Sequence, residues 1–306
     1  MNGKRPYRLP EPLLCSADKE INMTLIDEYI RKHEERMPRY RYLENLYKGF
    51  HDVFRLPEKE SWKPDNRLAV NFPRYITETF LGYAYGIPVK KSHPDEKIKD
   101  AILEFDRDND ISDQEYELAK KCCIYGHAFE YFYQDEEAKT KTVVCNPKEL
   151  FVVYDDTVKS RALFAVRYGK KDDNVTRYGE ILTRTEIIPF DGEKMQEGMP
   201  NPYGRINCVE YVLNDERIGL YEEVAGMVET YNRVIGEKAN DVDSFAEAYL
   251  AVLGAELDEE GVYKIRDNRI INLYGTDNAK DIIVQFLGKP TADGTCLLYT
   301  SDAADE

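Results

Sequence analysis

YEEVAGMVETYNRVIGEKANDVDSFAEAYLAVL, residues 221–253, contains no proline. Val224, Val228, Tyr231, Ile235, Val242, Phe245, Tyr249 and Val252 recur at steps of three and four, with one step of seven where Lys238 interrupts. That is a heptad seam, and it predicts one unbroken helix from Tyr221 to Leu253. At 1.5 Å per residue it would span about 50 Å. The opposite flank carries Glu222, Glu229, Arg233, Glu237, Asn240, Ser244 and Glu247. Acids outnumber bases seven to two in the stretch. Two arrangements fit this pattern. One is an amphipathic surface helix with a solvated acidic face. The other is a helix packed beside partner helices in a ring, its acidic face partly lining a channel. The remaining elements look small for covering such a seam, which favours partner chains.

Upstream, the pattern is a helical front followed by a β meander, an α+β chain. Thr24 to Met37 reads as a helix, with Thr24 as cap, Asp27 at the third position and Pro38 as its end. A second helix follows from Pro38 to Tyr47, closed by Gly49. Pro73 opens a third, with Ile76, Phe80, Tyr83 and Ala84 on one face and Gly86 at its end. Pro94 to Asp108 places Ile98, Ala101, Ile102 and Phe105 inward. Ser112-x-x-Glu115 is a capping box for a helix ending at Tyr125. From His127 to about Leu213, short alternating runs separated by polar breaks predict an antiparallel meander. Beyond the long helix, Val262–Arg266, Arg269–Tyr274 and Ile282–Leu287 read as strands.

Charge and motif content narrow the function classes. The net charge is −16, without a sizeable basic patch, which argues against tight nucleic-acid binding but not against letting DNA pass. The first ten residues show no signal peptide, and no apolar run is long enough to span a membrane. The expected location during synthesis is therefore the cytosol. Cys15, Cys122, Cys123, Cys145, Cys208 and Cys296 contain no C-x-x-C pair and read as buried thiols. No phosphate-binding loop, zinc-protease helix or G-x-S-x-G elbow is present, and His33, His51, His93 and His127 lie far apart. His127, beside Gly126, reads as structural. No cofactor is expected. Asp106, Asp108, Asp110 and Glu117 match positions 1, 3, 5 and 12 of a calcium loop, but Ile111 stands where glycine is needed. A metal-dependent nucleic-acid-processing enzyme using Asp106, Asp108 and Asp110 is the alternative from another class. An adaptor or scaffold without a tunnel is a third. Aromatic stacking on single strands is open to the 23 tyrosines, although their helical spacings favour core and subunit contacts.

A set of short motifs adds to this. They are Tyr47-Lys48-Gly49, Asn66-Arg67-Leu68-x-Val70-Asn71-Phe72, and Gly82-Tyr83-x-Tyr85-Gly86-Ile87-Pro88-Val89. Tyr125-Gly126-His127-Ala128, Tyr154-Asp155-Asp156, and Tyr231-Asn232 through Ala239 to Leu250 follow in order. Together they resemble the siphophage-type portal proteins of tailed bacteriophages, from about residue 40 to 290. The resemblance implies a dodecameric ring in the virion, at a capsid vertex, that conducts double-stranded DNA during packaging and ejection. It implies terminase, head–tail connector, capsid and scaffolding proteins as partners, and neither a membrane nor an enzyme activity. It divides the chain into an arm (1–19), wing (20–215), first stem helix (216–254) and partial clip (255–295). It places Glu222, Glu229, Glu237 and Glu247 toward the tunnel, and Val224, Val228, Tyr231, Ile235, Val242, Phe245 and Tyr249 in the stem packing seam. Asn66, Arg67, Asn71, Gly82, Tyr83, Gly86 and Pro88 are motif residues of the wing. The family continues into a second stem helix, tunnel loop and crown that do not follow here. Residues 296–306 read instead as a translated sequencing adapter.

Overall fold

Capping chemistry sets the ends of the first helices. The computed structural model describes residue 7 and residues 11–60, 63–173, 175–246, 249–253 and 283–287. Helix α1 spans Met23–Glu34. Asn22 caps it rather than Thr24, accepting from the Leu25 N–H at 3.0 Å. Asn22 sits in extended backbone just ahead of the helix, where its side chain can reach an otherwise unpaired amide; Thr24 is already inside. Helix α2 (Met37–Lys48) takes Pro38 into its first turn and ends at Gly49, φ +85°. Pro38 therefore helps to start α2 instead of terminating α1.

Asn71 caps α3 (Phe72–Tyr85) through the Arg74 N–H at 3.1 Å. Its buried face is Pro73, Thr77 and Leu81, not the expected one: Phe80, Tyr83 and Ala84 are exposed. Helix α4 (Glu96–Asp108) is capped by Asp95 and buries no residue at all. Ile98 and Ala101 face solvent and Ile102 and Phe105 are half-buried, so the expected inward face is not covered. Helix α5 (Ile111–Tyr125) begins after Asp110, which has φ +49°. Ser112 lies inside α5, so the capping box does not form.

The chain divides into two units, residues 1–56 with 69–233, and residues 57–68 with 234–306. In the first, strands β1 (Leu13–Cys15), β4 (Leu150–Asp155), β5 (Ala162–Lys170), β6 (Arg177–Leu182), β7 (Glu186–Asp191) and β8 (Lys194–Met195) form a sheet in that order, and β9 (Met199–Pro200) also pairs with β7. Strands β4 to β8 are the expected meander. The part of the N-terminal arm at Leu13–Cys15 is not loose; it adds in parallel to β4. Strands β2 (His127–Gln134), β3 (Thr140–Cys145) and β10 (Cys208–Val212) leave the meander and make a second sheet, ordered β10-β2-β3.

The layers follow from side-chain alternation. In β4, Phe151 and Val153 join Leu25, Ile26, Tyr29 and Ile30 of α1, while Leu150 and Val152 join Phe129, Tyr131, Cys145 and Cys208 of the small sheet. Both faces of β4 are covered, which explains its near-continuous apolar run. Each fully buried Leu or Ile here contributes roughly 1.5–3 kcal/mol. Leu118 and Cys122 of α5 cover the far side of the small sheet at Ala128. Two side-chain amides close the β3 edge: Asn109 accepts from the Thr142 N–H and Gln114 from the Val144 N–H, both at 3.1 Å. Such plugging blocks pairing with a foreign strand.

Helix α6 spans Ala225–Ala246, 22 residues. The expected single helix to Leu253 is corrected, because Tyr249–Leu253 is strand β11, antiparallel to β12 (Ile283–Leu287). Tyr-Leu-Ala-Val-Leu satisfies either period, and a strand partner some thirty residues away decides it. Residues 255–282 and 288–306, including two expected strands and the adapter-like tail, lie outside the described residues.

Candidate functional site

The chemistry-bearing residues converge at the root of α6, within the first unit. Gly126 ends α5 at φ +87°. A Cβ there would lie 2.0 Å from the Arg217 carbonyl oxygen, so only glycine lets the 214–222 loop approach. Arg217 itself has φ +56°, a costly conformation for a non-glycine residue. Its guanidinium repays that strain with a forked pair on Glu210, Nε at 2.8 Å and Nη2 at 2.9 Å. Glu210 also accepts from His127 Nδ1 at 2.7 Å and from the Tyr154 hydroxyl. His127 Nε2 in turn accepts from Tyr40 Oη at 2.8 Å, which defines the tautomer. Burial by itself would raise the Glu210 carboxyl; hydrogen bonds from Arg217 and His127 outweigh it and hold the group well below the usual carboxylate range. Burial lowers His127, with Glu210 opposing.

A second buried pair lies beside the first. Arg39 of α2 donates from Nε to Glu222 Oε1 at 2.9 Å, and both side chains are essentially inaccessible. Arg39 Nη2 also donates to the Arg217 carbonyl at 2.8 Å, and the Gly219 N–H donates to Glu222 Oε2 at 2.8 Å. Tyr221 is buried and donates to the Leu43 carbonyl at 2.7 Å. A water-sized cavity lined by Leu13, Arg36, His127, Tyr154, Glu210 and Arg217 adjoins the cluster. Tyr40, His127 and Glu210 have the connectivity of a proton relay, but Tyr40 is wholly buried and the cavity admits nothing larger than water. The arrangement is suited to holding the loop before α6 in one conformation.

Along α6 the residues fall differently from the expected seam. Val228 is buried and Ile235 half-buried, but Val224, Tyr231 and Val242 are exposed. Phe245 is helical, and Tyr249 has left the helix for β11. In the first unit, Asn232 takes a buried position and accepts from the Val70 N–H at 2.9 Å, while Tyr231 meets the Phe72 ring edge-on. In the second, Gly236 and Asn240 are the buried ones among the described residues. The acidic flank is corrected at Glu222, which Arg39 and the Gly219 N–H draw into the interior. Glu229 is half-buried against His51 Nδ1 (3.1 Å) and the Asp52 N–H (3.0 Å). Glu237 is exposed and pairs with Lys59 at 2.9 Å; Glu247 lies outside the described residues.

The wing motif residues split by role. Asn71 caps α3 and donates from Nδ2 to the Tyr47 carbonyl at 3.0 Å, beside Gly49. Asn66 donates to Asp243, and Arg67 pairs with Asp65 at 2.7 Å. Gly82, Tyr83, Gly86 and Pro88 are exposed, with Tyr83 at 93%. Gly86 has φ −66° and so closes α3 without a left-handed turn. Arg39, Glu210, Arg217 and Gly236 were missed, and the sequence named Asn232 and Asn240 only within a motif and on the polar flank. The last three stand four apart in sequence, a legible signal for a close-approach stripe on a helix.

The metal-enzyme alternative does not survive the geometry. Asp106 and Asp108 are two residues apart on α4, and Asp106 is neutralised by Lys91 at 2.9 Å. Asp110 follows the helix end, and Glu117 pairs with Lys120 and Lys121 on α5. A calcium loop needs an open loop, and two helices occupy the stretch. Among the described residues, no three His, Cys, Asp or Glu side chains are placed to hold a metal ion. Among the described residues, five of the six expected thiols are buried and unpaired, and Cys296 lies outside them; burial pushes Cys122 up to about 12 and Cys123 to about 11. None of the described helices is long and apolar enough to cross a membrane.

In this layered α+β unit the buried charged residues are engaged in holding the loop before α6, an arrangement that serves structure rather than catalysis. Residues 26–297 match the SPP1 Gp6-like phage portal protein family, and the chain belongs to that family. It is 21% identical over 277 residues to the portal protein of Bacillus phage SPP1. The alignment covers 80% of this chain and 54% of that protein, so the chain spans about half the length of the curated relative it matches. The family is structural rather than enzymatic.

Proposed function

We propose that the chain contributes wing, stem and part of the clip to a dodecameric portal ring at a capsid vertex. The ring is a passive conduit for DNA during packaging and ejection, driven by a separate ATPase. Its partners are further copies of itself, the terminase motor, head–tail connector proteins, and capsid and scaffolding protein. It assembles in the host cytoplasm and ends in the virion. Residues 20–215 serve as wing, 216–254 carry the first stem helix and 255–295 begin the clip. The observation that carries this is the family match over residues 26–297.

Two physical features support it. The net charge of −16 weakens adhesion of a passing duplex. The exposed Val224, just ahead of α6, and Met227 and Tyr231 on it leave an apolar stripe for a neighbouring copy. With Glu222 buried, any tunnel-facing charge among the described residues of α6 falls to the half-buried Glu229 and the exposed Glu237, Asp241 and Asp243 instead. Negative-stain imaging of the protein from the complete gene tests the proposal: rings with a central opening and no nucleotide hydrolysis are expected. Monomers across a wide concentration range would overturn it.

A further inference from the structure

In the second unit, α6 meets residues 66–68, a stretch without helix or strand, through their backbone atoms. The Asn66 N–H donates to Asn240 Oδ1 at 2.6 Å. Asn240 Nδ2 donates to Glu237 at 3.2 Å, and Glu237 is held by Lys59 at 2.9 Å. Gly236 is buried, and a Cβ on it would lie 2.8 Å from the Asn66 carbonyl oxygen and 3.7 Å from the Leu68 nitrogen. In the first unit the same chemistry recurs: the Val70 N–H donates to Asn232 Oδ1 at 2.9 Å, and Asn232 is fully buried.

We propose that Asn232, Gly236 and Asn240 are backbone-reading residues that set the register of segment 66–70 on α6. The apolar seam does not perform this task, since Val224, Tyr231 and Val242 are exposed. The spacing fits. Two acceptors eight residues apart on a helix are separated by about 12 Å, and two donors four residues apart on extended chain by about 13 Å. A slip of one helical turn is about 6 Å, or two residues of extended chain. In one direction it sets Asn240 opposite Pro64, which has no N–H to give. In the other it sets Asn232 opposite Phe72, whose N–H already donates to the Val70 carbonyl at 3.0 Å. Either slip leaves a buried amide oxygen unpaired, a cost that helix and segment avoid only in the observed register. Glycine between the asparagines is required because any side chain would push the segment away.

Residue-resolved amide hydrogen exchange on the full chain tests this. In the wild type, the Asn66 and Val70 amides should exchange at least about ten-fold more slowly than an open chain, the size expected of one bond worth about 1.4 kcal/mol. Asn240→Ala should release Asn66 alone, Asn232→Ala should release Val70 alone, and Gly236→Ala should release both. Asn240→Asp combined with Glu237→Gln keeps the acceptor oxygen without setting two carboxylates together and should keep Asn66 protected, which guards against a variant that merely fails to fold. Unprotected amides in the wild type, or protection that survives removal of the asparagines, would overturn the proposal. None of these readouts depends on ring formation, so its failure is separable from that of the portal assignment.

Discussion

Helices α4 and α5 follow one another in sequence and differ in what covers them. Helix α4 has the sharper division between apolar and charged sides, yet it buries nothing. Helix α5 has a blurred pattern and buries Ile111, Leu118, Ala119, Cys122, Cys123, Ile124 and Tyr125. The small sheet, α2 and α3 surround α5, whereas only α5 itself backs α4 closely. Periodicity records that a face will be buried somewhere. It does not say whether the cover comes from the same chain. The root of α6 belongs with α5, since its partners are internal; Ile98 and Leu103 on α4, and Val224 and Met227 at the start of α6, lack such cover.

The largest test of that contrast is at the internally partnered root. Arg39→Ala leaves Glu222 buried and uncompensated and should destabilise the protein by about 3–5 kcal/mol in urea unfolding. A loss near zero would mean that the root is not closed as described. The buried histidines give the next effect. Burial pushes His33 down to about 3, while Nε2 donates to the Pro147 carbonyl at 2.8 Å and Nδ1 accepts from Tyr168 at 3.0 Å. The unfolded chain binds a proton below about pH 6.5 that the folded His33 refuses until about pH 3. Stability should therefore fall as pH drops through that window, by up to about 1.4 kcal/mol per unit for this group. His33→Gln should remove that slope between pH 6 and 4. The depressed Glu210 carboxyl acts lower: its contribution is present above the unfolded carboxylate pKa of about 4.3 and is lost as pH falls further toward its folded value.

Core truncation on the two helices gives the direct comparison. Leu118→Ala on α5 should cost about 2–4 kcal/mol. Ile98→Ala on α4 should change the unfolding midpoint of the isolated chain by less than about 0.5 kcal/mol. Equal losses would erase the distinction. If α4 docks on another copy, Ile98→Ala should weaken assembly while leaving chain stability unchanged, which sedimentation of the complete protein would read.

Much of the fold was legible before the structure. Pro38, Gly49, Pro73 and Gly126 mark real helix boundaries, because proline and glycine act through their own backbones. Strands β4 to β7 follow the alternating runs. The larger errors share one physical cause, a partner distant in sequence. Asn22 replaces Thr24 as a cap through a local choice of one position, but Tyr249–Leu253 becomes a strand because Ile283–Leu287 supplies its ladder. Glu222 leaves the acidic flank because Arg39 waits in the interior. Of the candidate site, the helix and its general place in the chain were readable; the Arg39–Glu222 and Arg217–Glu210 pairs were not.

For the 221–253 stretch, sequence alone determined that a long, acidic, amphipathic helix begins near the end of the β region, because helical period is a local property. Tertiary structure decided where it stops, which face it buries, and that asparagine and glycine occupy part of the buried face. The buried face depends on backbone donors and charges brought from more than 150 residues away, as the Val70–Asn232 and Arg39–Glu222 contacts show, and the end of the helix on the strand at Ile283–Leu287. A hydrophobic pattern carries no record of them.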